Sequence, residues 1–366
     1  MTLRQLTLLN YKNIEEGVLN FSPKVNCLIG QNGEGKTNLL DAIYFLSFTK
    51  SAFNAIDSQI VRHDQSYMML KGVYDSGSDI EEITCSLQVG KRKNFRRNGK
   101  DYKKISEHIG LIPLIMVSPS DSELIIGGSE NRRKFIDITI SQFNALYMAN
   151  LTRYNKALQQ KNNMLKAEEE PNAEIISIYE EIMAEVGEYI FQERVKFINE
   201  FIPFFQEYYS CISGNHENVF LNYTSHCQRG SLLNTIQNNR YKERAVGYSL
   251  YGIHKDDIEM LIDSYPIKRE GSQGQSKTFL IALKLAQFEF IKYSNKGKSP
   301  ILLLDDIFDK LDSNRVSNII NLVSKESFGQ IFITDTNREH LDVILQKTVN
   351  GNYKIYKVSD GIFTEE

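Results

Sequence analysis

The sequence predicts an α/β protein. A domain built on a mixed β-sheet, residues 1–118 plus 215–366, is interrupted by an inserted antiparallel α-helical lobe, residues 119–214. Three observations predict this. An apolar run, Val25 to Ile29, feeds a glycine-rich loop, Gly30 to Thr37. After it Leu39, Leu40, Ile43, Tyr44 and Leu46 repeat at helical spacing. A pure apolar run, Ile301 to Leu304, reads as a strand covered on both faces of a sheet. Between them, from Ser129 to Tyr209, apolar residues recur every three or four positions on either side of an acidic turn at Pro171. Two long helices joined by so short a turn lie antiparallel.

The remaining elements follow in order. Leu3 to Asn10 alternates apolar and polar residues and reads as a strand, followed by short strands at Val18–Phe21 and Val25–Gly30. Tyr67–Tyr74 and Glu82–Val89 are strands, and Asn98-Gly99 signals a two-residue hairpin between Lys93–Arg97 and Lys100–Lys104. Leu111–Val117 is a buried strand ending at Ser118-Pro119. The helical lobe carries Phe135, Ile136, Ile140 and Phe143 on its first stripe and Ile182, Val186, Ile190 and Phe197 on its second. Strand texture resumes at Val219–Tyr223 and Ile258–Ile262. Helices at Ser276–Tyr293 and Asn314–Val323, a strand at Gln330–Thr334 and a hairpin at Asn350-Gly351 complete the chain.

Composition narrows the function. A chain of 366 residues with 41% hydrophobic content holds a sizeable core, and its net charge of −3 gives no bulk attraction to nucleic acid. Any such partner is held by a local patch. Cys27, Cys85, Cys211 and Cys227 are scattered without a C-x-x-C, which fits a reducing cytosol and argues against a zinc site. The first residues lack the pattern of a signal peptide, and no apolar stretch reaches about 18 residues. The expectation is a cytoplasmic protein without a membrane partner.

The glycine loop carries the chemistry. Gly30, Gln31, Asn32, Gly33, Glu34, Gly35, Lys36 and Thr37 fit G-x-x-x-x-G-K-[ST] between a strand and a helix. Gly30, Gly33 and Gly35 permit backbone angles that a side chain forbids, so successive N–H groups form an anion nest at the positive end of the helix. Lys36 is expected on the β- and γ-phosphates and the Thr37 hydroxyl on Mg²⁺. The chain therefore binds a nucleoside triphosphate. Asp305 closes the apolar run Ile301–Leu304, where it would hold Mg²⁺ directly or through water. Asp306 points the other way and is the candidate general base.

Ser272, Gln273, Gly274 and Gln275 open a helix between these two stretches, a second anion-binding helix start. They resemble the S-G-G-Q signature of ABC-type ATPases with Gln at one Gly, and Asp309–Asp312 resembles the D-loop that crosses to a partner subunit. In those ATPases the signature caps a nucleotide bound to another subunit. One loop and one signature per chain then imply a head-to-tail, two-fold homodimer with ATP sandwiched between subunits.

With these pieces in order the chain resembles, nearly end to end, the RecF family of bacterial recombination mediators, relatives of the SMC proteins. The carrying residues are LTLLNYKN at Leu6–Asn13, the loop with Asn38, Ser118–Asp121, Arg132–Asp137, GIHKDD at Gly252–Asp257, Ser272–Gln275 and Leu303–Asp306. The resemblance implies an ABC/SMC-type ATPase head and an ATP-dependent dimer binding gapped DNA at junctions of single and double strands. It further implies work with RecO and RecR to load RecA. It departs from relatives in several places. No switch histidine lies near Thr334-Asp335-Thr336, no Q-loop glutamine follows Val117, and lysines (Lys12, Lys277) stand where Arg is usual. The carboxylate at 306 is Asp, not Glu, which predicts weak ATPase activity with ATP acting as a clamp.

DNA candidates are Lys91, Arg92, Lys93, Arg96, Arg97 and Lys100, crowded on the Asn98-Gly99 hairpin with Lys103 and Lys104, and also Arg132 and Arg133. Each has a second reading: a lysine-protected edge hairpin for the first group, a brace of the lobe or a nucleotide contact for the second. Lys12 is either an ATP contact or a surface residue, and His254 either faces a dimer seam or is a satisfied structural histidine. Other classes explain less. A transporter subunit lacks its coupling glutamine and switch histidine. A GTPase lacks its Asp, since Lys298 follows Asn295-Lys296. A structural SMC tether needs a longer coiled coil. An ABC-type ATPase subunit with another partner is the alternative.

Overall fold

The computed structural model describes residues 1–214, 217–309, 311–325, 327–336, 338, 342 and 352–366. The chain forms two compact units: Met1–Asp121, Cys211–Gly214 and Gln273–Glu366 make the first, Ser122–Ser210 and Asn215–Ser272 the second.

The chain begins in the first unit with β1 (Thr2–Tyr11), β2 (Ile14–Asn20), β3 (Val25–Ile29) and α1 (Lys36–Phe48). Then come β4 (Tyr67–Asp75), β5 (Ile80–Gln88), β6 (Asn94–Arg97), β7 (Lys100–Asp101) and β8 (Leu114–Val117). A six-stranded sheet runs β2-β1-β4-β5-β6-β7, every pair antiparallel. On β4, Met68, Leu70 and Tyr74 alternate into the core, as the period of two requires. Asn98 and Gly99 both take positive φ (50° and 75°), which makes the β6–β7 turn the tight type its sequence signals.

The second unit opens with α2 (Glu123–Ile126), α3 (Ser129–Ser141), α4 (Ala145–Lys166) and α5 (Ala173–Ser213), whose last residues fall in the first unit. Where the sequence suggests one helix from Ser129 to Lys166 there are two. Asn144 leaves the helix and caps the next one, its side chain accepting from the Tyr147 amide at 2.9 Å. The antiparallel arrangement holds between α4 and α5. Asn144 meets Glu193, Arg153 meets Glu185 and Lys161 meets Glu180, in reverse order along the two helices.

β9 (Val219–Thr224), α6 (Leu232–Asn238), α7 (Arg240–Val246), β10 (Asp257–Ile262), β11 (Tyr265–Pro266) and α8 (Ile267–Glu270) follow in the same unit. The boundary expected at 214 therefore falls at Ser272. The strands read from Val219 and Ile258 pair with each other, Val219 opposite Ile262 and Thr224 opposite Asp257, in a three-stranded sheet β11-β10-β9. They do not extend the nucleotide-loop sheet.

The chain returns through α9 (Gln273–Ser294), β12 (Ile301–Asp305), α10 (Ser313–Val323), β13 (Ile331–Asp335), β14 (Tyr353–Ser359) and β15 (Ile362–Glu365). The second six-stranded sheet of the first unit runs β15-β14-β3-β13-β12-β8; only β15 is antiparallel to its neighbour, so the sheet is mixed. β3, β8, β12 and β13 are buried almost throughout, matching their apolar runs. The turn expected at Asn350-Gly351 lies outside the described residues, as does Lys310 of the D-loop stretch.

Candidate functional site

The site forms at the carboxyl ends of β3, β13 and β12, where open parallel sheets present their ligand crevices. In register, Leu28 of β3 lies opposite Thr334 of β13, and Thr334 opposite Asp305 of β12. Gly33 and Gly35 take φ of 89° and 114°, the left-handed region that favours glycine, and Gly35 caps α1. Gly30 is required for a different reason than expected. It is absent from the positive-φ positions, but an added Cβ would lie 2.4 Å from the Val358 carbonyl oxygen of β14. Gln31, Asn32 and Gly33 are exposed along the loop. Its far side is anchored: the Glu34 carbonyl accepts from the Gly361 amide at 2.8 Å and from Asn13 Nδ2 at 3.3 Å. Asn38 Nδ2 donates to Asn13 Oδ1 at 2.8 Å.

Lys36 Nζ donates to the Gly30 and Gln31 carbonyls at 2.6 and 2.8 Å, folding the ammonium back over its own loop. Burial lowers the ammonium's pKa, opposed by the charges of Asp306, Asp305, Asp335 and Glu34. The Thr37 hydroxyl sits 3.0 and 2.9 Å from the two Asp305 oxygens. Thr334 Oγ1 donates to Asp305 Oδ1 at 2.7 Å and accepts from the Asp306 amide at 3.0 Å. Desolvation raises the Asp305 carboxyl above its ordinary 3.8; the bonds from Thr334 and Thr37 pull the other way, and the Asp306 charge adds to the rise. Asp306 takes φ of 49°, a conformation that costs a non-glycine residue about 1–2 kcal/mol and re-aims the chain directly after the strand.

These residues fit the expected metal. Mg²⁺ takes one or two protein oxygens and completes its shell from phosphate and water. The Thr37 hydroxyl and the Asp305 carboxylate converge as such a pair. No cluster of three or more His, Cys, Asp or Glu occurs among the described residues.

The other candidates are placed as follows. Lys12 Nζ pairs with buried Asp41 of α1 at 2.7 Å, a carboxylate that also accepts from Tyr11, Ser51 and the Ala52 amide. Its ammonium is thus engaged inside the first unit. Ser272 and Gln273 are exposed at the start of α9, with Gly274 and Gln275 half-buried. A Cβ at Gly274 would come within 2.9 Å of Arg315 Nη1, so glycine here makes room for α10.

On the hairpin, Arg96 pairs with Asp101 and Arg97 with Glu81, each through Nε at 2.8 Å. Lys93 reaches Asp57 at 2.9 Å. Lys91, Arg92, Lys100, Lys103 and Lys104 are exposed, with no ion pair among the described residues. Arg132 grips Asp257 bidentately at 2.6 and 3.0 Å and donates to the Leu124 and Gly127 carbonyls; Arg133 donates to Ser129 Oγ and the Asp256 carbonyl. Both guanidinium groups brace the second unit. His254 is held between Tyr154 OH at 2.8 Å and the Ser249 carbonyl at 3.1 Å, and burial pushes it down to about 4. That is the satisfied structural histidine.

Two site residues escape the sequence reading. Thr334 carries no motif; its signal is only its place at the end of the strand beside Asp305. Asn13 lies in the resemblance stretch, but its contact with Glu34 and Asn38 requires the fold.

Comparison with known proteins places the chain in a family. A family model for the RecF/RecN/SMC N-terminal domain matches residues 2–364. A DNA replication and repair protein RecF of Phocaeicola vulgatus is 55% identical, covering 100% of this chain and 98% of the relative. One of Bacteroides fragilis is 54% identical with the same coverage. Among solved structures, the recombination mediator RecF-ATP of the RecFOR pathway superposes with a TM-score of 0.87 at 28% identity, covering 100% of this chain and 99% of that one. An SMC head bound to the winged-helix domain of ScpA superposes at 0.59 and 17% identity, a likeness of fold.

Proposed function

The chain belongs to the RecF family, and from that premise we propose that it is an ATP-binding protein of DNA replication and repair that closes into a homodimer around two ATP molecules. The observation that carries the reading is the cluster of Thr37, Asp305 and Thr334 beside the glycine loop. Two hydroxyls and one desolvated carboxylate sit where a triphosphate and its metal would lie. Mg²⁺, when bound with ATP, neutralises charge on the phosphates. Gly30 to Asn38 bind and orient the triphosphate, with the Lys36 ammonium turned from its two carbonyls toward phosphate. Asp306, aimed by its left-handed backbone, accepts a proton from the attacking water.

Ser272 to Gln275 of one copy close the site of the other, so each chain supplies half of each site. With a short Asp as base, hydrolysis is slow and resets the clamp; turnover above tens per second would contradict this. The dimer binds gapped DNA at single-/double-strand junctions and works with RecR and RecO. The exposed lysines Lys91, Lys100, Lys103 and Lys104 with Arg92 supply phosphate contacts. Sedimentation with and without ATP tests the reading on wild type and Ser272→Arg. Dimerisation only with ATP, lost in the variant, is expected; indifference to ATP would leave a monomeric nucleotide-binding protein.

A further inference from the structure

Two of the stretches that carry the family resemblance, Arg132–Asp137 and Gly252–Asp257, are partners in the second unit. Arg133 bonds the Asp256 carbonyl, Arg194 bonds Asp137, the Ile253 carbonyl and Asp256, and Arg132 makes a further joint that reaches α2. Its Nε and Nη2 clasp Asp257, the first residue of β10, while its Nη1 reaches the carbonyls of Leu124 within α2 and of Gly127 just after it, at 3.2 and 3.1 Å. The same Gly127 carbonyl accepts from Lys268 Nζ of α8 at 3.4 Å. α8 packs on both α2 and β10, with its own Ile267 buried. It ends at Glu270; the amide of the capping Gly271 returns to the Ile267 carbonyl at 3.0 Å, and the next residue is Ser272.

We propose that Arg132 is a positioning residue for the signature serine. By fastening α2 to the start of β10 it fixes the seat of α8, and α8 sets where Ser272 is presented to the nucleotide of a second copy. A planar fork with four contacts does this better than a point charge, because it fixes direction as well as distance. The inference rests on the ATP-sandwich reading and adds a residue that touches neither ATP nor the partner. Misplacement of an aligned group by about 1 Å through a remote change costs on the order of a hundredfold where alignment matters.

The test is the dimer dissociation constant at saturating ATP for wild type, Arg132→Lys, Arg132→Ala, Asp257→Asn and Ser272→Arg. Expected is a graded loss, with Arg132→Lys between wild type and Arg132→Ala, and about tenfold or more in Arg132→Ala. Asp257→Asn is isosteric on a half-exposed carboxylate and keeps the fold, so it decides the matter if Arg132→Ala does not fold; a several-fold weaker dimer is expected. A purely structural role would lower the melting temperature of both variants and leave the ATP-dependent dimer of the folded protein unchanged, which would overturn the inference. If Ser272→Arg itself dimerises like wild type, the sandwich reading fails instead.

Discussion

Replacing Thr334 by Val keeps the shape of the strand end and removes one hydroxyl. That hydroxyl donates to Asp305 Oδ1 at 2.7 Å and accepts from the Asp306 amide at 3.0 Å. A hydrogen bond to a charged group contributes about 1.5–3 kcal/mol, or about 10- to 150-fold in an equilibrium constant. The loss falls on the charged form of Asp305, already disfavoured by burial. Because its folded pKa is raised above 3.8, the metal-free native state binds more protons than the unfolded chain there, and stability falls as pH rises through that window. Metal needs the carboxylate, so Mg²⁺-dependent ATP affinity rises over the same window. Thr334→Val therefore weakens binding of ATP with Mg²⁺ by about 10- to 150-fold and moves the pH midpoint of that binding upward. Binding of ATP in a chelator changes far less. Calorimetric titration at several pH values measures both. An unchanged Mg²⁺-dependent affinity and midpoint would refute the role assigned to Thr334.

Gly30→Ala places a methyl 2.4 Å from the Val358 carbonyl, so β14 or the loop shifts; a loss of about 1–3 kcal/mol in stability, seen by denaturant unfolding, accompanies weakened ATP binding. Gly33→Ala meets open space but forces a side chain onto φ of 89°, so the loop is strained without a clash, and calorimetric titration is expected to show weaker ATP binding. Charge reversal of Lys100 and Lys103 lowers the salt slope of DNA binding by about one for each phosphate no longer neutralised. Arg97→Glu, by contrast, breaks the pair with Glu81 and acts on the hairpin first; an unchanged slope after the lysine reversals removes the hairpin from the DNA site. Burial holds His108 and His254 neutral, pushed from 6.5 to about 4, so their contribution is present above pH 6.5 and is lost on acidification toward 4. Melting curves of His254→Gln show a shallower acid decline than wild type.

The glycine loop, the strand before it and the Ile301–Asp305 strand are legible because their chemistry is local. A glycine-rich turn, a lysine, a hydroxyl and an apolar run ending in carboxylate each mark their own place. The second unit is less legible, since its boundary depends on pairing. Val219–Thr224 and Asp257–Ile262 have ordinary strand texture, and nothing within either says that they pair with each other. Charge is equally ambiguous. Arg96, Arg97 and Arg132 read as DNA contacts when only the cations are in view, whereas their acidic partners lie 5 to 125 residues away in sequence, and Arg133 is held by Ser129 Oγ and the Asp256 carbonyl. The break at Asn144 is hidden because Phe143 and Leu146 continue a helical spacing across it, although Leu146 is exposed.

The central claim is that each chain carries half of two ATP sites. Mixing tests it most directly. Lys36→Ala keeps the signature and loses its own phosphate site, while Ser272→Arg keeps its phosphate site and blocks the signature. Neither variant alone dimerises with ATP. Mixed together they restore one complete site, and sedimentation in ATP shows a heterodimer binding one nucleotide. Failure of the mixture to associate, with wild type associating under the same conditions, would contradict the shared site.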